Sequence, residues 1–217
     1  MRPLRLAGWA GIVFSILSLI VIPLVVTPMT PAPVLGSSGA EIAAWYTAHR
    51  MGFLVGNYLG IAAFVPGFVQ LAVLAARVRK AEGEDGFLGA LVLSTGIFAY
   101  TVFACSLVVF QVLPFLTDPA EARALGWLGS VWFSLDGLAA LPFVLSVGWA
   151  VGRTGALPRW IAPASWAVAV VALVMSFGSL TMAPGWLAGG GLATFAGFFL
   201  FFVWTGALGA AMLRIEA

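Results

Sequence analysis

Residues 51–76 read MGFLVGNYLGIAAFVPGFVQLAVLAA, an unbroken run without one charged side chain. A helix that crosses ~30 Å of hydrocarbon needs about 20 predominantly apolar residues, so this run is long enough to span a membrane. It lacks the period-2 alternation of lipid-facing and lumen-facing residues that marks a barrel strand. Five further runs of the same kind lie at 7–26, 87–113, 127–151, 163–182 and 186–213. The expected fold is therefore all-α, a polytopic membrane helical bundle with six transmembrane helices in a single domain, 1–217.

Composition agrees with that reading. Of 217 residues, 62% are hydrophobic and 8% are charged, and the mean hydropathy is +1.09, whereas a soluble domain is about 45–50% apolar and about 25% charged. Six spans leave too little chain for a folded extramembrane domain, which excludes most soluble enzymes and nucleic-acid-binding modules. The formal charge of +2 reflects few titratable groups and not a basic nucleic-acid surface. Cys105 is the single cysteine, so no intramolecular disulfide forms, and it falls in an apolar run as a small hydrophobe.

Orientation follows from Lys and Arg in the short connections. With the N-terminus cytoplasmic, Arg2, Arg5, Arg77, Arg79, Lys80, Arg153, Arg159 and Arg214 lie inside, and only Arg50 and Arg123 lie outside. Both termini are thus expected in the cytoplasm, with the chain in a plasma (inner) membrane. The first run exceeds the 7–15 apolar residues of a signal peptide, so it is expected to be an uncleaved span. The external connection 27–50 resists helix over its prolines and then carries a capping box, Ser38 to Glu41, that predicts a short helix over about 39–50.

Few polar residues fall inside the spans. At about 100° per residue, His49, Gly52, Gly56, Gly60, Ala63, Gly67 and Gln70 share one stripe of the second span, with Asn57 at its border. Small residues at this spacing let another helix approach closely, so Gly52, Gly56, Gly60 and Gly67 are candidate helix-packing positions, or the smooth wall of a cavity. On the third span Tyr100 and Gln111 lie on a weaker face with Gly89 and Gly96, and Ser106 points about 100° away from Gly89.

Asp136 is the ionisable residue deepest in a span. An Asp near a helix centre costs about 2.5–3.5 kcal/mol to insert, which ten or so Leu, Val and Phe at about −0.3 to −0.6 each offset. Such an acid marks a functional site by default and needs a partner. By depth Asn57 and Tyr100 qualify, Arg50 could reach down from the rim, and Ser106 qualifies only if the third span turns its other face inward. An Asp holding two helices in register is the structural alternative. His49 beside Arg50 is the remaining candidate, as a ligand contact or a cap.

The absences narrow the chemistry. One His cannot supply bis-histidine haem ligation, no Cys or His cluster suits iron–sulfur or zinc, and no phosphate-binding loop or intramembrane Lys is present. No cofactor, no metal site and no nucleic-acid partner are expected.

The order of features resembles bacterial six-helix membrane proteins grouped as a domain of unknown function. A first span is followed by a Pro-containing connection, the stretch Ala44-Trp-Tyr-Thr-Ala-His-Arg50 entering a Gly-rich second span, and a short charged turn. The resemblance implies a bacterial inner-membrane protein and no catalytic residues. The functional expectation is a non-enzymatic protein that binds or moves a small or lipid-like molecule through an outward-facing polar pocket of Asp136, Asn57, Tyr100 and Gln111, with His49 and Arg50 at its rim. Two other classes compete: a structural or regulatory subunit that packs against a membrane partner or its own copy through the glycine face, and a membrane enzyme on a lipid or quinone-like substrate with His49 and Asp136 as acid and base.

Overall fold

The uncharged run at 51–76 lies within one long helix. The computed structural model describes residues 3–26, 36–84, 86–180, 185–187 and 191–215. The helices are α1 (Pro3–Val26), α2 (Gly39–Ala48), α3 (Arg50–Glu82), α4 (Phe87–Val112), α5 (Pro119–Thr154), α6 (Ile161–Ser176) and α7 (Leu192–Ile215), and no strand occurs among the described residues. Six of them, all but α2, are long and apolar enough to cross a membrane.

Several helices depart from the apolar runs, for local reasons. With 33 and 36 residues, α3 and α5 are about 50 Å long and exceed the hydrocarbon thickness. α3 continues through Arg79 and Lys80, whose charges favour a helix C-terminus. α5 starts early because Asp118 accepts from Ala120 N and Glu121 N, with Pro119 at the first turn. α4 tightens into a 3₁₀ turn, Leu113–Phe115, where Pro114 lacks an N–H. The fifth run passes into a 3₁₀ turn at Phe177–Leu180, and its expected end at Met182 lies outside the described residues. The last helix starts at Leu192, later than the expected Trp186, which sits in a turn whose carbonyl accepts from Ala193 N at 2.9 Å. The proline-rich stretch 27–35 also lies outside the described residues.

Consecutive spans pack side by side, and α7 returns to α1, so the six form a closed ring. Between α1 and α7 the seam is backbone on backbone: a Cβ on Gly8 would lie 2.9 Å from Gly209 O. Lipid supplies little drive for helix association, so such close packing holds a bundle together. The ring's interior is aromatic. Phe14 is fully buried, with the rings of Tyr100, Phe64 and Phe202 at 5.3, 5.5 and 5.5 Å. The outside is apolar too, with Val65 68% and Val170 62% exposed, the pattern of a helix bundle whose solvent is lipid. Hydrogen bonds tie the ring at separate levels: Gln70 Nε2 donates to Thr205 O at 2.9 Å, reaching α7 across Gly11, Thr95 and Ser146 hydroxyls meet at 3.0 Å, and Trp204 Nε1 donates to Ser165 Oγ at 3.1 Å.

The short helix α2 sits at one end of the ring. Its capping box closes, Ser38 Oγ accepting from Glu41 N and Ser38 N donating to the Glu41 carboxylate. Ile42, Ala43 and Tyr46 are buried with Phe53, Phe110, Leu113 and Ala122 in a second apolar cluster, distinct from the main core. Partly buried Phe133 packs against both clusters.

Candidate functional site

Asp136 lies near the boundary between these two apolar clusters. Its side chain has no exposed surface. Oδ2 accepts from Ser106 Oγ at 2.9 Å, and Oδ1 is buried without a partner. Ser106 also donates to Phe103 O at 2.7 Å, so one hydroxyl proton serves two acceptors and Asp136 is under-coordinated on both oxygens. A buried acceptor left unpaired costs about 1–3 kcal/mol.

The partner is therefore Ser106, neither Asn57 nor Tyr100. Seven of the nine buried positions of α4, Gly89, Val92, Gly96, Ala99, Phe103, Ser106 and Phe110, step alternately by three and four, with Leu88 and Tyr100 beside them. That is a 3.5-residue repeat. Over the distance from Gly89 to Ser106 it turns Ser106 about 50° nearer the inward face than a 3.6-residue wheel does. Both Ser106 and Asp136 are thus inward-facing, and they meet.

Asn57 occupies the same level. Antiparallel pairing sets Phe53 of α3 against Phe110 of α4 at 6.3 Å and Phe64 against Tyr100 at 5.6 Å. Asn57 and Ser106 each lie one turn inward from the first of these pairs. At about 100° per residue Asn57 falls within about 40° of both Phe53 and Phe64, so it shares the face of α3 turned toward α4. It is 1% exposed, and its Nδ2 has no hydrogen-bond partner. One level of the bundle thus holds a buried donor without an acceptor and a buried acceptor without a donor.

Aromatic rings close this layer on the α2 side. Phe110 and Phe133 meet edge to face at 5.3 Å, Phe53 stands 6.3 Å from Phe110, and Tyr46 of α2 lies 4.9 Å from Phe53. Burial raises the Tyr46 phenol above its usual range, so it stays neutral. On the other side are Tyr100, Phe103 and the main core.

The remaining candidates disperse. Tyr100 is buried among Phe14, Phe64, Phe68 and Phe143, with Phe143 two turns along α5 from Asp136, so it belongs to the core and not to the polar layer. Gln111 is half-buried near the end of α4, with Oε1 unpartnered. His49 joins α2 to α3 and breaks the helix with φ −106° and ψ 14°. Its Nδ1 lies 2.9 Å from Trp45 O and its ring stacks on Trp45 at 4.5 Å. With a carbonyl as the other partner, Nδ1 is the donor. Arg50 does not reach inward: its guanidinium lies 4.3 Å over the Phe115 ring. From His49 to the level of Asn57 is about 12 Å along α3 at about 1.5 Å per residue.

The glycine stripe is divided. Gly56, Gly60 and Gly67 are buried, and a Cβ on Gly67 would press on Phe14 and Tyr100 at 3.3 Å. At Gly67 the stripe packs against α1 and α4 of the same chain. Gly52 is exposed, with open space about it. Cys105 is exposed on α4 and not buried as its run suggests.

Among the described residues no three metal-binding side chains come together. The unpartnered pair in the polar layer suits a hydroxyl or a water, which both donates and accepts. No protein-family model matches the chain, and no curated protein or solved structure is significantly similar to it.

Proposed function

We propose that the chain is a non-enzymatic multi-pass protein of a bacterial inner membrane that binds or moves a small or lipid-like molecule carrying a hydroxyl or similar group. Asn57, Ser106 and Asp136 form its polar contact, beneath the aromatic rings at the α2 end. The observation that carries the reading is the buried, unpartnered Asp136 Oδ1 at the level of the buried, unpartnered Asn57 Nδ2. Neither atom gains anything for the fold by being left unpaired. The excess of Lys and Arg at the opposite end supports cytoplasmic termini, which turns α2 outward.

The experiment is thiol labelling in membranes. In a Cys105→Ala background, Ser106→Cys is exposed to a small charged methanethiosulfonate, with Ser146→Cys, buried in the main core, as the comparison. Modification of Cys at 106 well ahead of 146 supports an accessible layer. Equal protection of both rejects it.

A further inference from the structure

We propose that the seam between the start of α2 and the start of α5 binds the phosphate of a phospholipid headgroup. This site is separate from the polar layer and does not depend on it.

A groove of about 470 Å³ runs along the seam, lined by Gly39, Pro119, Ala120, Arg123, Ala124 and Trp127. Its floor is backbone, because a Cβ on Gly39 would collide with the Pro119 carbonyl. The Arg123 guanidinium lies 4.8 Å over the Trp127 ring. A cation held over a ring face makes no hydrogen bond to that ring, so the guanidinium N–H groups stay available.

That fork has no carboxylate partner among the described residues, although Glu41, Asp118 and Glu121 share this end of the bundle. Two of the three are engaged elsewhere. Glu41 accepts from Ser38 N and Ser38 Oγ at 2.7 and 2.8 Å, and Asp118 caps α5 through Ala120 N and Glu121 N at 2.7 and 3.2 Å. The first amides of α5 are therefore already satisfied and are not the binding element. The second free donor is Trp127 Nε1, which is buried without an acceptor.

Two unfilled donors side by side call for a ligand with several acceptor oxygens, and a phosphate supplies them. The level selects a lipid as its source. Trp127 opens the apolar part of α5 and Arg123 lies one turn toward water, the depth at which a bilayer holds its headgroups. Exposed Leu128 continues down the same helix from Trp127, where an acyl chain would lie.

The test is native mass spectrometry of the delipidated, full-length protein titrated with phosphatidylglycerol, with diacylglycerol of the same chains and inorganic phosphate as separate probes. Phosphatidylglycerol should be retained and diacylglycerol should not. Arg123→Gln should weaken binding about 10-fold, the loss of one charge-assisted contact. Trp127→Phe, which keeps the ring and removes the N–H, should weaken it about 3-fold or more. Arg50→Gln removes an equal charge at the same end and should change binding less than about 2-fold. Equal retention of diacylglycerol, equal losses in the Arg123 and Arg50 variants, or binding of inorganic phosphate alone with the same Arg123 dependence would overturn the assignment.

Discussion

Replacing Asp136 by Ala separates what the carboxyl does for the fold from what it does for a ligand. The substitution removes the Ser106 contact at 2.9 Å, worth about 0.6 and at most about 1.7 kcal/mol between membrane helices. The space left by the carboxyl adds about 0.5 kcal/mol at about 24 cal/mol per Å³. Against these, it removes a buried oxygen without a partner, relieving about 1–3 kcal/mol. The opposing effects nearly cancel, so the variant should unfold within about 1 kcal/mol of the parent, and Asp136→Asn, which preserves shape and one acceptor, should do the same. The assay is reversible unfolding in mixed micelles, followed by circular dichroism. A loss above about 2 kcal/mol exceeds the hydrogen bond and the cavity together. It would mean that Asp136 is a structural tie, and the reasoning would fail.

Three further outcomes follow from the packing. Gly209→Val should open the α1–α7 seam and cost about 3 kcal/mol or more, because the new side chain meets the Gly8 carbonyl, whereas Gly52→Val, in open space, should change thermal stability little; paired melts in detergent decide this. Trp204→Phe removes the N–H that Ser165 Oγ accepts at 3.1 Å and should lower stability by about 1 kcal/mol, with Ser165→Ala adding little to it in the double variant. Glu41's carboxyl is held below its usual 4.5 by accepting first from the Ser38 backbone and then from its hydroxyl. Its cap therefore acts fully above about that pH and is lost as pH falls through the lower folded value, so amide exchange over 38–48 should quicken below pH 4.5 and do so less in Glu41→Gln.

Much of this was legible in the residues. The spans follow from apolar length alone, and the turn into α2 follows from Ser38 and Glu41, whose side chains and backbone amides satisfy each other within four residues. Asp136 stands out because an acid in a span has few neutral explanations. Its partner was harder to read, since a wheel of 3.6 residues per turn rotates Ser106 away from the inward face while the packed helix repeats every 3.5. Tyr100 misled for a related reason: its hydroxyl suggests polarity, but its ring fills the centre of the bundle against four phenylalanines. The α1–α7 seam was not legible, because Gly8 and Gly209 lie at opposite ends of the chain and the ring must close before they meet. Nor did the sequence single out Arg123, which it only places at the same end as Arg50. What separates them is which aromatic ring each covers and whether a groove lies beside it.

The central claim is that the level of Asn57, Ser106 and Asp136 receives a molecule from outside the chain. An experimental density map of the protein in lipid nanodiscs tests it most directly. The account predicts a non-protein feature within about 2.6–3.2 Å of both Asn57 Nδ2 and Asp136 Oδ1. A map in which those two atoms bond to each other or to the chain's own groups, with side chains filling the space between them, would contradict it.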